Sequence, residues 1–179
     1  MSSDSDARAV LGAQWAERDD GTIEWRGFLG LRPKVVARPP LMFLEWTIDG
    51  RPLRDSLVFS NGRTCEDITF LTEGARADEL AIGSLRVLLG EHAADVESRV
   101  RYDDGRVGLL FCPGCGGLDC GGVSAEIRAT DTTVEWRNVG YQDSWHPFDP
   151  KQDVSVFTLR FDRSQYETTV RGLLAWWDG

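Results

Sequence analysis

VGLLFCPGCGGLDCGGVSAEIRATDTTVEWRNVGY, residues Val107–Tyr141, decides how this chain folds. Val107, Leu109 and Phe111 stand at alternate positions, the period of a half-buried strand. A run rich in glycine and cysteine then interrupts the pattern. GVSAEIRAT (122–130) and TVEWRNVGY (133–141) resume it on either side of Asp131-Thr132, which predicts a hairpin. Strands joined by connections this short must be antiparallel, because parallel neighbours need a crossover of a dozen residues or more.

Working outward, Val96, Ser98, Val100 and Tyr102 alternate ahead of Asp103-Asp104-Gly105, which predicts another strand turning back into Val107. Residues 77–89 carry Ala77, Leu80, Ala81, Ser84, Leu85 and Leu88 on one face at helical spacing, and Gly90 ends the run. DITFL (67–71) reads as a short strand after an Asn61-Gly62 turn. LMFLEWTI (41–48) follows Pro39-Pro40 and stops at Asp49-Gly50, a turn pair because glycine accepts positive φ without steric cost. TIEWRGFLGL (22–31) reads as a strand bounded by Asp19-Asp20-Gly21. Toward the C-terminus, QDSWHPFDPKQD (142–153) is a polar, proline-bearing loop and VSVFTLRF (154–161) an alternating strand. Tyr166, Val170, Leu173, Leu174 and Trp177 then line one face of a helix over 163–177. A Ser164/Glu167 capping box starts it, with Asp162 as the rival cap.

Runs of strands with two helices and no regular βα alternation indicate the α+β class, mainly antiparallel, with a cysteine-bearing hairpin loop. Residues 1–20 are expected to be a flexible N-terminal segment, with a short frayed helix around Ala9, Val10, Ala13 and Trp15, and residues 21–179 one α+β domain. Glu-Trp recurs at Glu24-Trp25, Glu45-Trp46 and Glu135-Trp136. On a strand this predicts tryptophan turned into the core and glutamate turned out.

Cys112-Pro113-Gly114-Cys115-Gly116 places two thiols three positions apart on a tight turn, so that both can face one metal. Proline fixes φ, and Gly116 supplies a permissive conformation after the second sulfur. Zinc ribbons and knuckles use such turns, usually in pairs; this chain has one turn and a single further thiol, Cys120. A structural zinc takes four protein ligands, so Cys112, Cys115 and Cys120 need a fourth: Cys65 or His146, with His92 the other histidine present. Reduced structural thiols, a redox C-x-x-C and a disulfide remain alternatives to zinc at this loop.

Other chemistries find little purchase. Gly116-Gly117 is a poor helix start for a thioredoxin-like thiol, and His92 lacks the downstream glutamate of zinc deaminases. H-E-x-x-H, G-x-S-x-G and the phosphate-binding G-x-x-x-x-G-K-[ST] pattern do not occur. Asp143, Asp149 and Asp153 near His146 read as a solvated loop. The 179 residues hold 20 Lys+Arg, of which Lys34 and Lys151 are the lysines, against 29 Asp+Glu, for a net charge of −9. That balance argues against nucleic acid, whose phosphates need a basic surface. No stretch is apolar enough to cross a bilayer, and the opening MSSDSDARAV has no apolar leader core, so a cytoplasmic location is expected.

The cysteine loop resembles that of a group of actinobacterial proteins with a C-P-x-C-G-x-L-x-C-G segment followed by a strand and a V-x-W-R strand. Here these are Cys112–Gly121, Ala125–Ala129 and Val134-Glu135-Trp136-Arg137. The resemblance extends loosely over residues 40–175, including IDGRPL at 48–53. It implies a bacterial, cytoplasmic protein and carries no activity with it; Cys65 matches no motif of the group.

Together these features predict a non-catalytic, small, acidic cytoplasmic binding protein with a structural zinc knuckle. An immunity or antitoxin protein that plugs the basic active site of a toxin is the concrete version. The alternative is a thiol- or zinc-dependent enzyme, either a redox C-x-x-C or a zinc hydrolase with an open metal position.

Overall fold

The computed structural model describes residues 7–19, 22–26, 32–36, 39–59, 61–72, 77–93, 95–151 and 155–179. Along the chain run β1 (Leu11–Arg18), β2 (Thr22–Arg26), β3 (Arg32–Val36), β4 (Leu41–Ile48), β5 (Arg51–Pro52), a 3-10 turn (Leu53–Ser56), α1 (Ala77–Leu88) and α2 (Glu97–Val100). They continue with β6 (Val107–Cys112), β7 (Gly117–Ala129), β8 (Thr133–Gln142), β9 (Phe157–Asp162) and α3 (Arg163–Asp178). The fold is α+β with antiparallel sheets, as its turn spacing predicts.

β6-β7-β8-β9 form a four-stranded meander, β1-β4-β5 a three-stranded sheet, and β2-β3 a separate hairpin. Asp49 and Gly50 make the two-residue turn between β4 and β5 with φ of 51° and 77°. Both being positive is what a tight hairpin of this twist requires. Isolated bridges join the two larger sheets at both ends. Ala9 pairs in parallel with Phe161 of β9; Thr72 pairs with Phe43 of β4, and Ile68 with Phe111 of β6. Strand pairing therefore runs in a circuit, β6 through β9, then Ala9 and β1, then β4, then residues 68–72 and back to β6.

The circuit encloses a core led by Trp46, Trp136, Tyr166, Phe43 and Phe161. Each large apolar side chain removed from water contributes roughly 1.5–3 kcal/mol. Trp46 and Trp136, from two of the Glu-Trp pairs, meet edge to face at 6.1 Å. Their glutamates are not turned out to solvent as predicted. Glu45 is covered by Arg54, and Glu135 by Arg137 and Arg160, because both faces of β4 and part of β8 are buried and a carboxylate there must be paired.

Other expectations are also corrected. Residues 11–18 are a strand, not a frayed helix: β1 pairs along its length with the apolar β4, and Gln165 and Thr169 of α3 bond the backbone of Leu11. Partner hydrophobicity drives this strand, and its own polar sequence hides it. Residues 97–100 are helical, not extended. The four-residue spacing of Val96 and Val100 fits both periods, but Ser98, which a strand would place on their face, is exposed while both valines are buried, as a helical turn requires. The cap of α3 is Asp162, whose carboxylate accepts from the Gln165 N–H at 3.1 Å, so the Ser164 capping box does not form. The predicted features at residues 20–21, 27–31 and 152–154, the Trp25 side chain and the first six residues of the chain lie outside the described residues.

Gly122 of β7 lies so close to β6 that a Cβ would stand 2.3 Å from the Leu110 carbonyl oxygen. Gly122→Ala should lower stability by about 1–3 kcal/mol. Gly172→Ala, at an open position on α3, should raise it by roughly 0.5–1 kcal/mol. Urea unfolding midpoints of the two variants check the pair.

Candidate metal centre

Cys112 is the last residue of β6, Cys115 lies in the turn, and Cys120 stands on β7. The turn is tighter than the sequence suggests. Cys112 already pairs with Gly117, the Gly116 N–H reaches the Cys112 carbonyl at 3.0 Å, and Gly116 takes φ 72°. Cys120 is thus a strand residue and not part of a long loop. Leu118 anchors the hairpin from below, filling the space left by Gly108, where a Cβ would meet its side chain at 2.8 Å. Just past Cys120, Gly121 adopts φ 114° beneath the Tyr141 ring, whose hydroxyl donates to the Cys120 carbonyl at 3.3 Å.

This geometry brings the three sulfurs within 4.8 Å of one another. Tetrahedral zinc with Zn–S near 2.3 Å spaces its sulfurs about 3.8 Å apart, so small side-chain rotations close the set on an ion. Three cysteines this close could hold a metal ion.

The electrostatics prepare one thiolate. Burial alone would raise Cys115, but hydrogen bonds from the Cys120 thiol, the Cys120 and Gly117 backbone and the Cys112 thiol outweigh it and lower Cys115 below the ordinary thiol value. Cys120, whose proton serves Cys115 and Cys112, is pushed up to about 12.

The other expected ligands sit elsewhere. Among the described residues, Cys65, His146 and His92 belong to no donor group of this kind. Cys65 is buried beside a hollow of about 790 Å³ shared with Arg18, Arg54 and Phe59, and burial, reinforced by Asp67, pushes its thiol up to about 11. His92 pairs with Glu97 at 2.7 Å. His146 lines a hollow of about 590 Å³ that also takes in Cys115 and residues 116–119. Its Nδ1 lies 3.0 and 3.1 Å from the two Asp143 carboxylate oxygens, of which Oδ1 also accepts the Trp145 and His146 N–H groups.

Polar pairing inside the sheet holds this loop in place. Buried Arg106 donates to the Ser124 hydroxyl and carbonyl and to the Asn138 carbonyl. Ser124 donates to Gln142, and Gln142 to Asp104. The Phe148 ring lies 3.6 Å over the Arg106 guanidinium, and the Ser144 hydroxyl bonds the Leu118 carbonyl. Sequence reading missed Arg106, since a single arginine before a strand gives no sign of burial.

It also missed Asp67. This residue precedes Ile68, the partner of Phe111, and so lies beside the strand that ends in Cys112. Among the described residues its buried Oδ2 has no hydrogen-bond partner, and burial pushes the carboxyl up to about 6.

Compared with protein-family models, with curated proteins and with solved structures, the chain has no match. No helix among the described residues is long and apolar enough to cross a membrane.

A carboxyl that is raised on folding binds its proton more tightly in the folded state. The stabilisation from Asp67 is present below its ordinary value of 3.8 and is lost as pH rises through about 6. Asp67→Asn should therefore be more stable than the parent at pH 8, by on the order of 1–3 kcal/mol, with the gain vanishing toward pH 4. Denaturant titrations at the two pH values measure the difference.

Proposed function

We propose that Cys112, Cys115 and Cys120 bind a structural zinc ion, and that the domain is a non-catalytic binding protein of the cytoplasm. The observation that carries this is the convergence of three sulfurs within 4.8 Å on one hairpin. The hairpin has physical need of such a bond. Gly114, Gly116 and Gly117 lose much backbone entropy on ordering, and Leu118 is the one large apolar side chain between Cys112 and Cys120. Metal binding free energy appears as folding free energy.

His146 is the fourth ligand in this reading. The Asp143 carboxylate at Nδ1 favours the tautomer with its proton there, which leaves Nε2 with a lone pair for the metal. His146 lines the same hollow as Cys115 and needs the loop to close on the sulfurs.

The partner in this reading is a basic protein surface, as for an immunity protein on its toxin. Asp103, Asp104, Asp119 and Asp143 outnumber Arg99 and Arg101 in the lining of the hollow, Trp145 beside it is 80% exposed, and the chain carries a net charge of −9. Opposite charge speeds such encounters, and an exposed tryptophan supplies an anchor. The lowered, exposed Cys115 thiol supports a second reading, a thiol- or zinc-dependent enzyme. A closed zinc site reacts slowly with alkylating reagents until a chelator is added, whereas a catalytic thiolate reacts fast at once.

Elemental analysis and zinc titration of untagged protein test the proposal. Cys112→Ser, Cys115→Ser and Cys120→Ser should abolish zinc binding and lower stability in zinc by more than about 2 kcal/mol. Cys65→Ser should retain zinc and lose about 1–2 kcal/mol. His146→Ala should weaken zinc binding roughly 10–100-fold without abolishing it. Equal, small losses across all the cysteine variants would leave the hairpin as packed, reduced thiols.

A further inference from the structure

Two of the three sulfurs stand where small molecules can reach them. Cys115 and Cys120 are exposed, Cys112 is half-buried, and Cys65 is buried away from the group. From within 4.8 Å, two sulfurs reach the disulfide length of about 2.05 Å by moving together less than about 3 Å. Cys115 lies in the turn of the hairpin and Cys120 on the strand that follows it.

We propose that Cys115 and Cys120 form an oxidation site for hydroperoxides, whose product is a Cys115–Cys120 disulfide that expels the metal. The proposal rests on the zinc reading above. The Cys115 thiolate attacks the terminal peroxide oxygen; an S–O bond forms and the O–O bond breaks. The leaving alkoxide or hydroxide takes a proton from water, and Cys115 is now a sulfenic acid that no longer holds the ion. The Cys120 thiolate then attacks the Cys115 sulfur; the S–S bond forms, the S–O bond breaks, and the departing hydroxide is protonated. In sum, two thiolates, one hydroperoxide and two protons give one disulfide, one alcohol or water, and one further water. Two electrons pass from sulfur to oxygen. The Cys112 thiolate and one imidazole are too few to retain zinc.

The test treats the zinc-loaded full chain with one equivalent of hydrogen peroxide, follows zinc with a chromophoric chelator, and maps disulfides by peptide mass analysis. The expected result is about one zinc released for each Cys115–Cys120 linkage, reversed by a dithiol and fresh zinc. Zinc retained while peroxide is present in excess, or a Cys112–Cys115 linkage in its place, overturns the proposal. Cys120→Ser should give a sulfenic acid at Cys115 that a dimedone probe present from the start traps, with no linkage at position 120; dimedone labelling at Cys112 instead counts against it. A chain that takes up no zinc fails the metal reading. The peptide map of that metal-free chain then decides the thiol pair alone, linkage supporting the oxidation site and its absence overturning it.

Discussion

Trp136 joins the two larger sheets to the long helices. Its ring meets Trp46 of the smaller sheet at 6.1 Å, Phe161 of the neighbouring strand at 5.2 Å and Tyr166 of the last helix at 6.2 Å, all near edge to face. Such pairs are worth about 0.5–1.5 kcal/mol each beyond their burial. Its indole N–H donates to the Tyr166 hydroxyl, which in turn donates to the Leu88 carbonyl at the end of α1. Through Tyr166 this side chain links the two larger sheets to both long helices, and its own buried N–H is paired. A smaller residue here would open a cavity at the junction of all of them.

The same strand carries that order to the cysteine hairpin. Between Trp136 and Val139 the β8–β9 register shifts, and Asn138 takes φ 51°. This turns its carbonyl to Arg106, which also holds Ser124 of β7. The hairpin and the 143–149 loop are therefore clamped to one buried cation. Gly122, Gly121 and Gly108 admit β6, Tyr141 and Leu118 at distances no larger residue permits. The sulfurs converge because the strands beneath them cannot move apart.

Much of this was legible in the residues. Asp49-Gly50, Asp131-Thr132 and the 77–89 and 163–177 periodicities mark features that arise from local rules, and these appear where expected. Cys112, Cys115 and Cys120 were readable as a group because a turn brings neighbours in sequence together. What stayed hidden depends on distant partners. β1 is a strand because β4 lies beside it, and Glu45 is buried because Arg54 reaches it. The Val96–Tyr102 alternation fits two periods, and packing against α1 selects the helical one. Asp67 is unusual only once the fold surrounds it.

The circuit of strand pairing sets an order of assembly. Ala9 must find Phe161, and Leu11 must find Gln165, across roughly the whole length of the chain. During synthesis, the first strand leaves the ribosome long before its last partners exist. Contacts of such high sequence separation slow folding, because loop closure must precede their reward. Until β9 and α3 emerge, the apolar face of β4 and the outer edge of β1 stand open, and a nascent chain in that state is a natural client for a chaperone that holds exposed strands.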